Sequence, residues 1–214
     1  MLKSAFDHLV VTASSRGAGA AYLTEVLGVV PREGGEHPQM GTHNSLIRLG
    51  DSTYLEAIAV NPAASRPPRP RWFELDGLTD GAGPRLASWV VRTSDIRRAA
   101  ARSPLPLGPA EGMTRESLAW QITLPADGRM PLDGVAPSLI EWSTPSHPAA
   151  LLPESGCELI DLRIRHAQVE VIGALLRAIG FDGPVNLALP SAGQRSGLLA
   201  RIRTPKGICE LGEP

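Results

Sequence analysis

Three times along the chain, a short run of branched apolar residues is followed by apolar positions at helical spacing and then by further short strand-like runs. In the first round, Phe6-Asp7-His8-Leu9-Val10-Val11 reads as a strand. Ala20, Leu23, Val26 and Leu27 recur at helical spacing over residues 17–28, and Gly28 supplies the stop. A turn-rich stretch over 31–40, carrying the Gly34-Gly35 pair, leads to strands at 44–49 and 54–60. The second round predicts a strand at 87–93, a helix at 95–102 capped by Ser94 or Asp95, and strands near 112–115, 118–124 and 138–143. Asp127-Gly128 and Asp133-Gly134 mark turns between them. The third round predicts a strand at 159–165 and a helix at 168–179, with Ile172, Leu175, Leu176 and Ile179 at core spacing and Gly180 at its end. A later strand carries Arg201 and Arg203, and Gly207-Ile208-Cys209-Glu210-Leu211 closes the chain.

A repeat of this period predicts an α+β protein of repeated βαβββ modules. Modules at 1–60 and 85–145 are expected to pair into a cup within residues 1–150, and 151–214 to form a third βαβββ-like module. A pairing of modules one and three is the alternative, and it would gather His8, Glu56, Asp161 and Glu210. Residues 61–84 form a connector rich in Pro, Arg and Gly, in which Trp72 and Phe73 are expected to pin the chain against a core.

Side chains on a strand alternate between two faces. Tyr54, Glu56 and Ile58 therefore share one face, while Leu55, Ala57 and Ala59 form a small apolar face suited to lie under a helix. Glu56 is expected to point into the concave side, where a desolvated carboxylate needs a cation, a metal or a proton. The first and last strands of the rounds carry His8 and Glu56, Ser88 and Glu141, and Asp161 and Glu210, at spacings of 48, 53 and 49 residues. Asp161 and Glu210 sit among Arg163, Arg165, Arg201 and Arg203, so ordinary ion pairs are expected there. His37 and His43 are expected to lie in a glycine-rich loop that rims the cup, Asn44 can hydrogen-bond a ligand, Trp120 and Trp142 can floor an apolar pocket, and Arg115 and His147 can reach the rim.

Composition narrows the classes. At 214 residues, 43 % hydrophobic and 20 % charged, the chain has an ordinary globular make-up and can bury a sizeable core. A net charge of −1 supplies no field for nucleic acid or an anionic membrane, and neither partner is expected. No apolar run approaches the roughly 20 residues of a membrane span. The N-terminus enters a strand at once and does not read as a signal peptide. Cys157 and Cys209 lack metal-binding spacing and are expected to be reduced thiols of a cytoplasmic protein.

Several stretches carry a family resemblance: Asp7-His8-Leu9-Val10-Val11, the run from Gly35 to Asn44, Tyr54-Leu55-Glu56-Ala57-Ile58-Ala59, Trp89-Val90-Val91-Arg92 and Leu139-Ile140-Glu141-Trp142. Over most of residues 5–150 the chain resembles the glyoxalase-like branch of the vicinal oxygen chelate superfamily. That superfamily hosts isomerases, dioxygenases, epimerases, thiol transferases and antibiotic-binding proteins, so the resemblance implies a fold more firmly than an activity. It implies metal ligands at His8, Glu56 and Glu141, with Glu56 and Glu141 also moving the proton. The fourth slot, commonly a histidine, holds Ser88, which would face substrate with His37, Asn44, Trp120 and Trp142. The expectation is a lyase or isomerase dependent on a divalent ion (Mn, Fe, Ni, Co, Mg or Zn) and acting on a small oxygen-bearing molecule. The alternative is a metal-free protein of the same fold that sequesters a small ligand. A homodimer through the third module is compatible with both.

Overall fold

A computed structural model describes residues 2–79 and 81–212. The first unit comprises β1 (Ser4–Thr12), α1 (Arg16–Leu27), β2 (Arg32–His37), β3 (Thr42–Gly50) and β4 (Thr53–Val60). The second comprises β5 (Arg85–Thr93), α2 (Ile96–Arg102), β6 (Ala110–Arg115), β7 (Leu118–Thr123) and β8 (Ser138–Trp142). After a short helix α3 (Pro148–Leu151) come β9 (Glu158–Arg165), α4 (Val169–Ala178), β10 (Phe181–Asp182), β11 (Val185–Ala188), β12 (Gly197–Thr204) and β13 (Gly207–Gly212). Among the described residues no helix is long and apolar enough to cross a membrane.

Units one and two form one curled sheet in the order β2-β3-β4-β1-β5-β8-β7-β6. Within each, the first strand runs parallel to the last, β1 with β4 and β5 with β8. The units join through antiparallel β1 and β5, from Ser4 opposite Thr93 to Thr12 opposite Arg85. The sheet of the cup is therefore built by modules one and two, joined through β1 and β5.

The third unit uses the same element types with a different pairing. Its sheet runs β11-β9-β12-β13, so β9 lies between a parallel β11 and an antiparallel β12 instead of beside the last strand. Arg201 on β12 sits between Asp161 and Glu210 in register and pairs with Asp161 at 3.0 Å. Glu210 is exposed on the edge strand, and both cysteines are free. The two-residue β10 attaches this unit to the first, pairing with Ser4 and Ala5 of β1.

Alternation along the strands divides the interior into two layers. On the helix side, Leu9, Leu23, Leu55, Trp89, Leu139, Ile172 and Ile202 belong to one core shared by all three units. On the cup side, Val10, Ile58, Val90, Trp120, Ile122 and Ile140 pack with Trp72 and Phe73 from the connector. The pinning expected of those two aromatics is thus realised inside the cup itself. Phe73 and Glu74 both adopt φ 54°, a left-handed conformation costly for residues with a Cβ. The Asp76 carboxylate holds the turn, accepting from the Arg71 backbone at 2.8 Å and from its guanidinium at 2.5 Å.

The first helix starts where Ser15 Oγ accepts from Ala18 N at 3.1 Å. It ends at Gly28, whose φ of 69° is the left-handed C-cap geometry that glycine adopts without penalty. A Cβ there would also meet Lys206 Cε at 2.5 Å. Gly28→Ala is expected to lower stability by about 1 kcal/mol, measurable as a shifted urea midpoint at unchanged slope.

Candidate functional site

The site begins with an irregularity in β1. The register against β5 shifts between Phe6 and His8, leaving Asp7 as the extra residue of a bulge. A regular strand would turn Asp7 toward the helices beside Leu9. Here its carboxylate is fully buried at the cup floor and gathers three groups: His8 Nδ1 at 2.6 Å, Trp142 Nε1 at 2.9 Å and His147 Nε2 at 3.1 Å. Burial raises the Asp7 pKa, but the hydrogen bonds from His147 and His8 outweigh it and hold the carboxyl well below the usual range.

His8 is fixed on two sides, by Asp7 at Nδ1 and by the Tyr54 ring stacked at 4.4 Å. Its other nitrogen, Nε2, lies 3.7 Å from Glu56 Oε2. Both residues are more than nine-tenths buried. The second Glu56 oxygen accepts from Asn44 Nδ2 at 2.5 Å, and Asn44 Oδ1 accepts from Gly35 N at 2.9 Å. Asp7, His8, Glu56 and Asn44 thus form one chain of polar contacts across β1, β4 and β3.

A narrow cleft opens over this chain, with a cavity volume of about 30 Å³ between its walls. Tyr54, Trp72, Phe73, Trp120 and Trp142 supply aromatic surface, Ile122 and Ile140 aliphatic surface, and Arg115 a cation. His37 also lines it, held by Thr42 Oγ1 at 3.1 Å and set edge-on against Trp72 and Trp120. Burial first, and the Arg115 charge second, lower the His37 pKa from 6.5 to about 3. His37 is therefore a neutral ring at ordinary pH. Burial pushes the Tyr54 hydroxyl well above its ordinary value, with Asp7 and Glu56 adding to the effect.

Among the residues expected at the site, His8, His37, Glu56, Trp120 and Trp142 line the cleft, and Asn44 supports Glu56 from behind. Glu141 does not join them. Ile140 and Trp142 take the cup face of β8, so alternation turns Glu141 to the other face, where Oε2 accepts from Ile96 N at the start of α2 at 2.8 Å. Ser88 is fully buried opposite Val10, its Oγ 3.5 Å from Trp89 O, and it is not part of the cleft wall. His37 belongs to β2 and His43 to β3 instead of to a rim loop. Asp7 carried no sequence signal, because nothing in Phe6-Asp7-His8 marks a bulge.

This donor set does not fit the expected metal centre. With Glu141 turned away and Ser88 outside the wall, His8 Nε2 and Glu56 are the two expected ligands left in the cleft. Among the described residues no three His, Cys, Asp or Glu side chains converge to hold an ion. Three protein ligands with an open position is the usual requirement of a catalytic metal site.

A search of curated proteins finds no match. Among solved structures, a hypothetical protein from Staphylococcus aureus superimposes with a TM-score of 0.61 at 13 % identity, covering 92 % of this chain and 88 % of that one. That likeness establishes the fold. A triple mutant of 4-hydroxymandelate synthase from Streptomyces coelicolor matches at a TM-score of 0.47 and 16 % identity over 99 % of this chain and 63 % of that one. Methylmalonyl-CoA epimerase from Mycobacterium tuberculosis matches at 0.41 and 16 % identity over 64 % and 85 % of the two chains. The model of the glyoxalase-like domain matches residues 6–180, which include both modules of the cup and every residue of the cleft. The chain belongs to the glyoxalase-like domain family.

Proposed function

We propose that the cleft binds a small oxygen-bearing molecule and moves a proton on it without a bound metal, with Glu56 and His8 as the proton-handling groups. One observation carries this reading. Two groups able to take up and release a proton lie 3.7 Å apart under an aromatic-walled cleft, and one of them is oriented by a buried carboxylate. A carboxylate or imidazole in such a place acts as a general base when a C–H acid is held against it. The substrate C–H bond breaks, its electron pair passes into the adjacent carbonyl to give an enolate, and the proton goes to Glu56. His8 takes or returns a proton at Nε2, while Asp7 acts as a positioning residue that fixes the ring and balances its charge. Exclusion of bulk water by Trp72, Trp120 and Trp142 strengthens each electrostatic contact inside.

The probes are phenylpyruvate and pyruvate, whose C3 protons exchange with solvent through such an enolate. In deuterated buffer, the protein is expected to accelerate loss of the C3 signal in the proton NMR spectrum of at least one of them. Glu56→Gln should remove at least about 100-fold of the added rate while the variant remains folded, since the amide preserves size and can still meet Asn44. No acceleration of either probe rejects proton transfer. Binding without acceleration would instead support the metal-free sequestering protein.

A further inference from the structure

We propose that Arg115 is the specificity-determining residue of this cleft, and that the ligand it selects is a small carboxylate with an apolar, preferably aromatic, body. The inference deepens the proton-transfer reading and rests on it for the place of the ligand. Arg115 ends β6, one edge of the curled sheet, and faces β2, the other edge. It lines the inner cleft and also an outer groove whose wall carries Gly34, Gly35, Arg16 and the carboxylates of Glu33, Glu36 and Glu116. Its side chain therefore stands at the seam where the cup opens.

Its interactions set it apart from the other partly buried arginines. Arg71 meets Asp76 at 2.5 Å, Arg69 meets Glu111, and Arg92 donates to the carbonyl oxygens of Phe6 at 2.6 Å and Ser52 at 2.5 Å. Arg115 has no ion pair among the described residues. Its contacts are with His37 Nε2 at 3.4 Å and Asn44 Oδ1 at 3.5 Å, both at the long limit of a hydrogen bond. A guanidinium offers five donors in a planar fork matched to a carboxylate. The long contacts leave most of that capacity for a ligand.

The backbone is arranged around this side chain. A Cβ at Gly35 would lie 2.7 Å from Arg115 Cδ, so the glycine is what lets the arginine stem cross the seam. A Cβ at Gly34 would overlap Asn44 Oδ1. Asn44 in turn separates the two charges of the cleft, its oxygen toward Arg115 and its nitrogen bonded to Glu56. Arg115 thus has no ion pair among the described residues, while the base keeps its own partner. A 2-oxo acid with its carboxylate on Arg115 and its body between Trp72, Trp120 and Trp142, which must move apart to admit it, would present its C3 toward Glu56. Trp72 Nε1, buried and without a hydrogen-bond partner among the described residues, is a further donor at the wall for an oxygen on that ligand.

The test is equilibrium binding of benzoate against benzamide, followed by quenching of tryptophan fluorescence, with no chemistry involved. Benzoate is expected to bind at least 10-fold more tightly than the isosteric neutral amide. Arg115→Gln should abolish that preference, and Arg115→Lys should retain part of it by keeping charge while losing the fork. Gly35→Ala, which displaces the stem without removing the charge, should weaken benzoate in the same direction. Equal affinity for the two probes, no benzoate binding at 10 mM (about a hundredfold above a 0.1 mM site), or an unchanged preference in Arg115→Gln would overturn the proposal. Glu56→Gln separates the two readings, because it should stop proton exchange yet leave the benzoate preference intact.

Discussion

Asp7→Asn is expected to lower the melting temperature by roughly 10 °C and to remove most of any proton exchange in the cleft. Asp7 is fully buried, and its carboxylate meets His8, His147 and Trp142 within 3.1 Å. An asparagine keeps the shape but carries no charge, and its NH₂ replaces one acceptor oxygen with a donor facing other donors. Breaking a buried charged network by altering one partner costs about 3–5 kcal/mol, and each kcal/mol shifts the midpoint by about 2–4 °C in a chain of this size. The functional loss has a separate cause, since the His8 ring loses the carboxylate that fixes its orientation. Glu56→Gln is the control: it should abolish exchange at near wild-type stability, whereas Asp7→Asn reduces both. A melt within 2 °C of wild type, about 1 kcal/mol or less, would mean that the three contacts contribute little.

Acid should destabilise the protein once the pH falls below the ordinary histidine range. The folded His37 has a pKa of about 3 against an ordinary 6.5, because burial and the Arg115 charge disfavour the imidazolium. Between those values the unfolded chain binds a proton that the folded chain does not. The stability is therefore fully present above pH 6.5 and declines as pH falls toward 3, by at most about 1.4 kcal/mol per pH unit. Asp7 follows the same sign at lower pH: its folded pKa lies below the ordinary 3.8, so the unfolded chain gains its proton first and a further loss begins near pH 4. Urea unfolding from pH 7 to pH 4 should thus show a slope of about 1 kcal/mol per unit. His37→Gln, which can still meet Thr42 and Arg115, should flatten that window and leave the loss below pH 4. An unchanged slope in His37→Gln would assign the acid sensitivity to another group.

How far the site could be read from the sequence differs from residue to residue. Glu56 was placed on the concave face because Leu55 and Ala57 are the apolar residues beside it, and both lie in the helix-side core. The expectation that Glu141 joins the cup fails because its two large apolar neighbours, Ile140 and Trp142, share the cup face. Either face of β8 could have been apolar, so the carboxylate's direction depended on Leu139 packing under the helices. Asp7 was hidden for a different reason. Its direction comes from a bulge whose origin is the register between two strands about 80 residues apart, and no local residue pattern encodes it.

Local chemistry is strongest where one element decides its own geometry. The order of strands and helices, the stops at Gly28 and Gly180, and the alternation that gives β1, β4 and β5 a helix face and a cup face all follow from neighbours in the chain, and they are legible in the sequence. The resemblance in the first two modules carried the family as well. Which first strands pair is a long-range choice between similar apolar edges, and the tertiary structure resolved it as β1 with β5. The third unit shows the same limit: its elements arrive in the expected order, yet β9 pairs with β12, because strand order is set by how the whole sheet buries its apolar face. The convergence of Asp7, His8, Glu56 and Asn44 beneath Arg115 belongs to this second kind. It needs a bulge, a seam between two sheet edges and a glycine at 35 that lets an arginine cross it, and those conditions exist only once the sheet has curled.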